Sequence, residues 1–423
     1  MSDHQNMTEG LTKKILIGMM LGALVGLFFF YLPDNATVKN IEGFLLDGLL
    51  DLGGVVFIAS LKMLVIPLVF VSLVCGVCSI GGSSRIGLIT LKTVLFYLMT
   101  TAIAITLALL VASVIDPGVG EFNVSAAVAF TPQESPSIWQ VLKDLVPTNV
   151  FGAMAAGDKM LQIIVFAILF GIGLSRVKER ADTVHQFFIQ LDSVIMQMVL
   201  ILMKLAPIGV FCLIATMFAK SGFSNILQLG KYFFNVLLVL ALHAFLTYGF
   251  LLWFLTGLSP LIFFKKMQRL WVFGFSTASS NATIPVTLET VEEKLGVRNE
   301  VASFTVPLGA TINMDGTAIM QGVATVFIAQ YYGIDIGVIG YLTVILTATL
   351  ASIGTAGVPG VGLVMLTMVL AQVGLPVEGI ALIIGVDRIL DMVRTAVNIT
   401  GDSVASVVVA KSENMLDEEI YRN

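Results

Sequence analysis

Charged and amide side chains recur along one face of a segment in the last fifty residues of the chain. They are Asp387, Asp391, Arg394, Asn398 and Asp402, and most other positions from 376 to 410 are apolar or small. At about 100° per residue in an α-helix, these groups share a face about 80° wide and about 22 Å long. A charge in a membrane costs about 2.5 kcal/mol or more unless it is paired or hydrated, so this face indicates a binding site.

The side chains on this face suit the parts of an acidic amino acid. Arg394 carries a planar guanidinium that can pair with a carboxylate. Asp391, one turn away, suits an ammonium group. The amide of Asn398 and the hydroxyls of Ser280 and Thr317 can hold the α-carboxylate.

Two of the acidic residues indicate a cation site. Asp402 and Asp315 lie near an asparagine and near backbone that we expect to be unwound, and their oxygens favour a small hard cation such as sodium. A structural ladder is the simpler alternative, in which Asp391 and Arg394 only neutralise each other at i, i+3. That alternative would leave Asp387 and Asp402 unpaired.

The composition places these groups in a membrane. The chain has 423 residues, 57% of them hydrophobic and only 12% charged, and its net charge is −5. The mean hydropathy is +0.96. These values exclude a soluble enzyme, a disordered chain, a coiled coil and a basic nucleic-acid-binding protein. Cys75 and Cys78 lie in an apolar run, which predicts a packed helix and not a redox pair.

Long apolar stretches predict membrane helices at about 15–32, 46–80, 86–115, 146–175, 186–218 and 230–257. Pro67 and Pro207 are candidate kinks. The segment from Asp116 to Pro147 is polar and predicts a long external loop. Lysine and arginine concentrate in alternate loops, which predicts a cytoplasmic N-terminus and, after an even number of further crossings, a cytoplasmic C-terminus. We interpret the first apolar run as a retained span and not as a signal peptide.

The pattern changes after residue 257. Small polar clusters at 276–283 and 352–362 interrupt short apolar arms, and each cluster precedes a long helix with a polar centre. Irregular backbone cannot face lipid, so each cluster predicts the tip of a re-entrant hairpin that lines a cavity. A unit of this kind that occurs twice is typical of a transporter binding site.

Four motifs resemble those of the glutamate transporter family, the dicarboxylate/amino acid:cation symporters. They are SSNATIP at 279–285, NMDGT at 313–317, GTAGVPG at 354–360 and DRILDMVRT at 387–395. The resemblance implies an all-α integral membrane protein with eight transmembrane helices, two re-entrant hairpins and inverted repeats. It also implies a homotrimer with an elevator mechanism. The scaffold would comprise residues 1–80 and 116–257, whose last helix moves with the transport domain, and the transport domain would comprise 81–115 and 258–423.

The resemblance also assigns site residues. The implied substrate pocket comprises Ser280, Thr317, Val358, Asp391, Arg394, Thr395 and Asn398. The implied sodium ligands are carbonyls of Gly309, Asn313 and Asn398 with Asp402; carbonyls of Thr311, Met314, Ser352, Ile353 and Thr355; and a third set formed by Tyr97, Thr100, Thr101, Asn313 and Asp315.

The sequence departs from the family pattern at two places. Ala278 and Met392 stand where many relatives have an arginine, and Arg388 lies one turn before the usual position, so its role stays open. Gln321 stands where eukaryotic members have a glutamate linked to proton transport, which argues against proton and potassium coupling of that kind.

The sequence therefore predicts a sodium-coupled symporter for L-aspartate, L-glutamate or both in the cell membrane, with lipid and sodium as partners and with no other cofactor. A proton-coupled or plain C4-dicarboxylate symporter is the alternative, although a substrate without an amine would leave Asp391 unpaired. An intramembrane hydrolase using Ser279 or Ser280 lacks a suitably placed base. Anion conduction is a side activity of relatives. His243 predicts a packed, hydrogen-bonded histidine.

Overall fold

The computed structural model describes residues 2–33, 35–78, 84–119, 146–156, 160–177, 180–221, 226–353, 355, 357 and 359–422. Regular structure in these residues is helical, apart from an isolated bridge between Val297 and Leu416. The predicted all-α class is therefore confirmed for this part of the chain.

The helices follow one another along the whole chain. In order they are α1 (Ser2–Phe30), α2 (Ala36–Phe44), α3 (Asp51–Cys78), α4 (Ser84–Ile115), α5 (Val150–Ala156), α6 (Met160–Arg176), α7 (Asp182–Met203), α8 (Ala206–Ser221), α9 (Ile226–Ala241), α10 (Tyr248–Thr256), α11 (Pro260–Thr277), α12 (Ser280–Glu289), α13 (Asn299–Ile312), α14 (Asp315–Tyr331), α15 (Gly337–Ser352), α16 (Val361–Gln372), α17 (Ile380–Ser412) and α18 (Glu418–Arg422). π-helical turns at Leu45–Leu50 and Leu242–Thr247 connect α2 to α3 and α9 to α10, and a third at Thr290–Lys294 follows α12.

Several helices have the length and composition of membrane spans. Within the described residues they cover Lys13–Phe30, Lys39–Cys75, Leu88–Ile115, Asp182–Leu202 and Gln228–Thr256. The predicted single helix over 186–218 is wrong, because α7 ends at Met203 and α8 begins at Ala206. Pro207 explains the break, since proline lacks an N–H group and fits only the first turn of a helix. In contrast, α3 continues through Pro67.

Two other predicted segments are only partly covered by the described residues. The stretch predicted at 146–175 contains α5 and α6, and residues 157–159 between them lie outside the described part of the chain. Most of the predicted external loop, residues 120–145, also lies outside it.

Glycines bring α1 and α8 into close contact. A Cβ atom at Gly18 would lie 2.5 Å from the carbonyl oxygen of Pro207, and one at Gly22 would lie 2.6 Å from that of Phe211. A Cβ atom at Gly26 would come equally close to the carbonyl oxygen of Ala215. Equal steps of four residues on both helices show that α1 and α8 run in the same direction. Small residues at this spacing allow helix backbones in a membrane to pack tightly.

The polar face of α17 lies at the centre of the second half. Helices α11, α13, α14, α9 and α8 pack around α17, and α4 packs along α14 and α15. Every residue from Asp315 to Ala329 of α14 is buried. Helices α4, α8 and α9 of the first half therefore pack on the helices that carry the candidate site.

The two small polar clusters form turns that touch each other. Helix α11 ends at Thr277, Ala278 adopts the left-handed conformation with φ 48°, and Ser279 caps α12 by accepting a hydrogen bond from the Ala282 N–H at 3.2 Å. The hydroxyl of Ser279 donates to the carbonyl oxygen of Gly357 at 2.7 Å. The turn between α11 and α12 thus lies against the turn between α15 and α16.

The polar centres of the two long helices differ. The helix predicted around 311–321 is broken at Asn313 and Met314, which separate α13 from α14. Helix α17 is continuous across its polar face. The unwound backbone predicted beside Asp315 is therefore confirmed, and it interrupts the first of the two predicted helices at Asn313 and Met314.

The last short helix, α18, packs against the beginning of α11. Lys266 donates hydrogen bonds to the carbonyl oxygens of Lys294, Ile420 and Tyr421 at 2.9, 2.7 and 2.8 Å. The hydroxyl of Tyr421 donates to the carbonyl oxygen of Ser259 at 3.0 Å. Hydrogen bonds from Lys411 and Arg422 lower the pKa of the Glu418 carboxyl.

Candidate substrate and cation site

Arg394 forms two ion pairs on the polar face of α17. Its Nη1 donates to Asp387 Oδ1 at 2.6 Å, and its Nη2 donates to Asp391 Oδ1 at 2.8 Å. Only 1% of the arginine side chain is exposed. The expectation that Asp387 stays unpaired in a structural ladder is wrong, because it lies two turns before Arg394 on the same face. The Nε of Arg394 has no hydrogen-bond partner in the described part of the chain, so the guanidinium keeps a donor for a further acceptor.

The second oxygen of Asp391 faces other donors. Asp391 Oδ2 lies 3.6 Å from Arg388 Nη1 and accepts a hydrogen bond from the Gly360 N–H at 3.2 Å. Gly360 has φ 85° and directly precedes α16. The structure therefore places Arg388, which the sequence left without a role, beside the carboxylate that suits an ammonium group.

The remaining predicted substrate residues lie around these ion pairs. A Cβ atom at Gly362 would lie 3.2 Å from Thr317 Cγ2 and 3.3 Å from Arg394 Nη2, so α14, α16 and α17 meet there. The hydroxyl of Thr395 donates to the carbonyl oxygen of Asp391 at 2.9 Å. Ser280 lies at the start of α12, next to Gly357.

Asn398 links the start of α14 to α17. Its Oδ1 accepts a hydrogen bond from the Gly316 N–H at 2.7 Å. Its backbone carbonyl accepts from Asn313 Nδ2 at 2.9 Å. Val358, also predicted for the substrate pocket, lies outside the described residues.

The first predicted cation set gathers where α13 breaks. Asn313 Nδ2 also donates to Asp402 Oδ1 at 2.8 Å, while Asn313 Oδ1 is buried without a partner in the described residues. A Cβ atom at Gly309 would overlap the Asp402 carboxylate and lie 2.6 Å from Tyr97 Oη. A carboxylate, an amide side chain and a phenol oxygen therefore lie close together here, and oxygen atoms of this kind suit a small hard cation.

Members of the second predicted set lie at two helix ends. Thr311 and Met314 flank the end of α13, and Ser352, Ile353 and Thr355 follow the end of α15. A Cβ atom at Gly357 would lie 2.6 Å from the carbonyl oxygen of Ala310, so these helix ends are neighbours. The hydroxyls of Thr311, Ser352 and Thr355 donate to carbonyl groups of their own segments, at 2.9, 2.8 and 2.9 Å.

Asp315, in the third predicted set, receives three hydrogen bonds in a fully buried cluster. Thr101 Oγ1 donates to its Oδ1 at 2.5 Å. His243 Nε2 lies 3.0 Å from its Oδ2, and the Tyr248 hydroxyl donates to the same oxygen at 2.8 Å. The cluster joins α4, α14 and the junction between α9 and α10.

Tyr97 and Thr100 border this cluster on α4. The hydroxyls of Thr100 and Thr101 both donate to the carbonyl oxygen of Tyr97, at 3.1 and 2.8 Å. The Tyr97 hydroxyl donates to the carbonyl oxygen of Thr305 at 3.0 Å. The predicted members of the third set are therefore close together.

Sequence reasoning missed His243 and Tyr248 as neighbours of Asp315. Five residues in an α-helix turn through about 140° beyond a full turn, so the two side chains would point apart. The π-helical turn at Leu242–Thr247, with hydrogen bonds from i to i+5, brings them onto one side. The predicted hydrogen bond of His243 is confirmed. The sequence did contain one indication that His243 belongs to the site. It is an ionisable residue in an apolar span, and such residues usually have a function.

The comparison with known proteins assigns the chain to a family. The model of the sodium:dicarboxylate symporter family matches residues 11–412. The chain belongs to this family. The protein is therefore a symporter and not an enzyme, and the hydrolase alternative is wrong.

Relatives of this symporter occur in bacteria and animals. The proton/sodium-glutamate symport protein of Bacillus subtilis (strain 168) is 35% identical over 416 residues, which cover 96% of this chain and 94% of the relative. The proton/glutamate-aspartate symporter of Escherichia coli (strain K12) is 36% identical over 426 residues, with 98% and 95% covered. An excitatory amino acid transporter of Caenorhabditis elegans is 33% identical over 433 residues, with 89% and 86% covered.

Asn398 connects the two parts of the symporter's candidate site. Its side chain holds the start of α14, beside Thr317, and its carbonyl holds Asn313, which also binds Asp402. One asparagine is therefore hydrogen-bonded both to the start of α14, beside the ion pairs of Arg394, and to the asparagine beside Asp402.

Proposed function

We propose that this symporter carries L-aspartate, L-glutamate or both into the cell together with sodium ions. The observation that carries the proposal is the buried pairing of Arg394 with Asp391 on α17. A guanidinium fork suits the side-chain carboxylate, and the aspartate suits the ammonium group of the same substrate. The glutamate and aspartate named for the bacterial relatives support this substrate class.

Sodium coupling is supported by the oxygen groups beside the substrate residues. Asp402, Asn313 and the break after α13 form one group, and Asp315 with Thr101 forms another. Both groups are buried and contain carboxylate and other oxygen atoms, which favours a hard cation. Sodium is also named for relatives from Bacillus subtilis and Geobacillus stearothermophilus.

A proton-coupled or plain C4-dicarboxylate symporter remains the alternative to test. Asp391 argues against plain dicarboxylates, because a substrate without an amine offers its carboxylate no new partner. The names of the relatives include proton coupling, so the ion dependence has to be measured on this chain.

We further propose the membrane arrangement that the family resemblance implies. It has eight membrane helices, with α11–α12 and α15–α16 as re-entrant hairpins, in a homotrimer of the cell membrane with both termini cytoplasmic. The scaffold takes residues 1–80 and 116–257, whose last helix moves with the transport domain, and the moving domain takes 81–115 and 258–423. The packing of α4 along α14, and of α9 along α17, supports the assignment of these helices to the moving domain.

Uptake into proteoliposomes tests the function. Labelled aspartate, glutamate and succinate are offered under a sodium gradient alone and under a proton gradient alone. We expect sodium-driven accumulation of aspartate or glutamate and little of succinate. Full aspartate uptake driven by protons in sodium-free buffer, or succinate uptake equal to that of aspartate, would overturn the proposal.

A further inference from the structure

Arg388 is a buried cation beside the substrate residues that no part of the proposed function uses. It lies on α17 with 6% of its side chain exposed, and its Nη1 is 3.6 Å from Asp391 Oδ2. The surrounding cleft is also lined by Ile15, Phe57 and Val210, from α1, α3 and α8, and by Gly360. Arg388 therefore stands between the ion pairs of α17 and helices of the first half.

Asp391 is engaged by groups of the protein itself. Arg394 pairs with its Oδ1, while Arg388 and the Gly360 N–H face its Oδ2. The carboxylates of Asp387 and Asp391 are balanced by the two guanidinium groups. These four side chains of α17 are thus electrically neutral together, as charged groups at membrane depth should be.

A bound amino acid changes this balance. Its ammonium group needs Asp391, and its side-chain carboxylate needs Arg394. The oxygen of Asp391 that does not pair with Arg394 is the one that Arg388 faces, so the ammonium group and Arg388 compete for one acceptor.

We propose that Arg388 takes the place of the substrate ammonium group in the empty carrier. It neutralises Asp391 when no amino acid is bound, and Asp391 in turn holds the Gly360 end of the α15–α16 turn against α17. Binding of the amino acid transfers Asp391 from Arg388 to the ammonium group. The inference rests on the proposed amino-acid symport, and it assigns Arg388 as a positioning residue for the return of the empty carrier.

The two halves of the transport cycle therefore differ in their need for Arg388. The loaded carrier contains the substrate ammonium group, so Asp391 has a cationic partner without Arg388, and the co-transported sodium ions of the proposed function offset the two substrate carboxylates. The empty carrier lacks that group, and without Arg388 it would hold two carboxylates against one guanidinium in the membrane. Loss of Arg388 should slow the return of the empty carrier much more than the movement of the loaded one.

Net uptake and exchange separate these steps. Net uptake of labelled aspartate into empty proteoliposomes requires the empty carrier to return, whereas exchange against internal unlabelled aspartate uses only the loaded carrier. For Arg388→Gln we expect the rate of net uptake to fall at least about tenfold, because the empty carrier would cross the membrane with an uncompensated charge. The rate of exchange should stay within about twofold of that of the parent. Arg388→Lys keeps the charge and should keep most net uptake.

The controls distinguish this inference from a structural role. Arg269→Gln removes an exposed arginine that pairs with Glu289 at 2.7 Å outside the site, and both rates should stay unchanged. The ratio of net uptake to exchange does not depend on how much protein is folded. An equal fall of both rates in Arg388→Gln, an unchanged ratio, or a low ratio in Arg388→Lys would overturn the role of Arg388. Absence of sodium-driven aspartate uptake by the parent would instead overturn the proposed function.

Discussion

Arg394 pairs with two carboxylates in the structure, and each of them affects how a substrate can bind. Asp387 accepts a hydrogen bond from Nη1 and Asp391 accepts one from Nη2. A guanidinium has more N–H donors than these two contacts use, so a substrate carboxylate can bind the remaining donors, among them the Nε–H that has no partner in the described residues, or displace one of the aspartates. An amino acid that displaces Asp391 from Arg394 offers its own ammonium group to that carboxylate. A plain dicarboxylate offers no cation in exchange.

Replacement of Arg394 should change substrate choice. For Arg394→Cys we expect aspartate binding to weaken by roughly two orders of magnitude or more, since a charge-assisted hydrogen bond is lost and a charged group loses its partner. The affinity for serine should fall less, because Asp391 and the ligands of the α-carboxylate remain. Calorimetric titration with both amino acids measures this, with Arg422→Cys as the control on the exposed Glu418 pair. Aspartate affinity within a few-fold of the parent would contradict the assignment.

The two aspartates that flank Arg394 should respond in opposite ways. Asp391→Asn removes the partner of the substrate ammonium group and should weaken the binding of aspartate and serine alike. Asp387→Asn removes a competitor for Arg394 Nη1 and makes the site more positive, so aspartate affinity should stay equal or rise. The same titrations decide this, and equal losses in both variants would show that the two carboxylates are equivalent.

Asp402 should control the sodium dependence. Asp402→Asn removes the charge next to Asn313, and we expect the sodium concentration for half-maximal aspartate binding to rise about tenfold, since one charge-assisted contact is lost. Asp192→Asn is the matched control, because Asp192 accepts a hydrogen bond from Ser72 at 2.7 Å in another part of the protein. An unchanged sodium dependence in Asp402→Asn would exclude this carboxylate from the cation site.

At the scale of helices, the sequence predicted some parts of the site and not others. The polar face of α17 follows from spacing alone, because the helix is continuous and its period is regular. The pairing of Asp387 with Arg394 depends on side-chain rotamers, which spacing does not determine. His243 and Tyr248 reach Asp315 only through a π-helical turn, which changes the angle per residue without a clear sequence signal.

The contact between α4 and α14 should be sensitive to the volume of the side chains at the interface. A Cβ atom at Gly322 of α14 would lie 2.9 Å from the Cβ of Ala108 on α4. We expect Gly322→Val to cost about 1–3 kcal/mol by overpacking, which lowers the apparent melting temperature by a few degrees. It should also raise the sodium requirement, because α4 carries Thr101 to Asp315.

Gly173 supplies the matched control for this change. Nothing lies within 4 Å of a Cβ atom at Gly173 on α6, so Gly173→Val should leave both the melting temperature and the sodium requirement unchanged. Thermal unfolding of the purified variants, followed by titration with sodium, measures both. Equal melting temperatures for the two variants would contradict the tight packing of α4 on α14.

At the scale of the whole molecule, helices of the first half contact the site helices in two ways. Helices α4 and α9 pack along α14 and α17, whereas α1 and α3 pack on α8, and α8 and α3 in turn pack against α17 and α16. The second kind of contact is the one that must change if a moving domain slides against a scaffold. The cleft beside Arg388 lies on this boundary.

Cross-linking tests the proposed movement. With Cys75, Cys78 and Cys212 replaced, we introduce cysteine pairs between α11 and the helices α1 and α3. We expect two alternative sets of cross-linked pairs, one favoured with sodium and aspartate and the other in their absence. A cysteine pair between α4 and α14 serves as the control and should form under both conditions. A single set under all ligand conditions would contradict the elevator mechanism.

The hydrogen bond between Thr101 and Asp315 also has a consequence for biosynthesis. The two residues are 214 positions apart in the chain. At about 5–20 residues per second, the ribosome needs about 10–40 s to reach Asp315 after Thr101. During that interval α4 lies in the membrane with its threonine and tyrosine hydroxyls facing no partner helix. Until α14 arrives, the hydroxyls of Thr100 and Thr101 can bond only to the Tyr97 carbonyl of their own helix. Substitutions that make α4 more polar should therefore lower the yield of inserted protein before they affect transport.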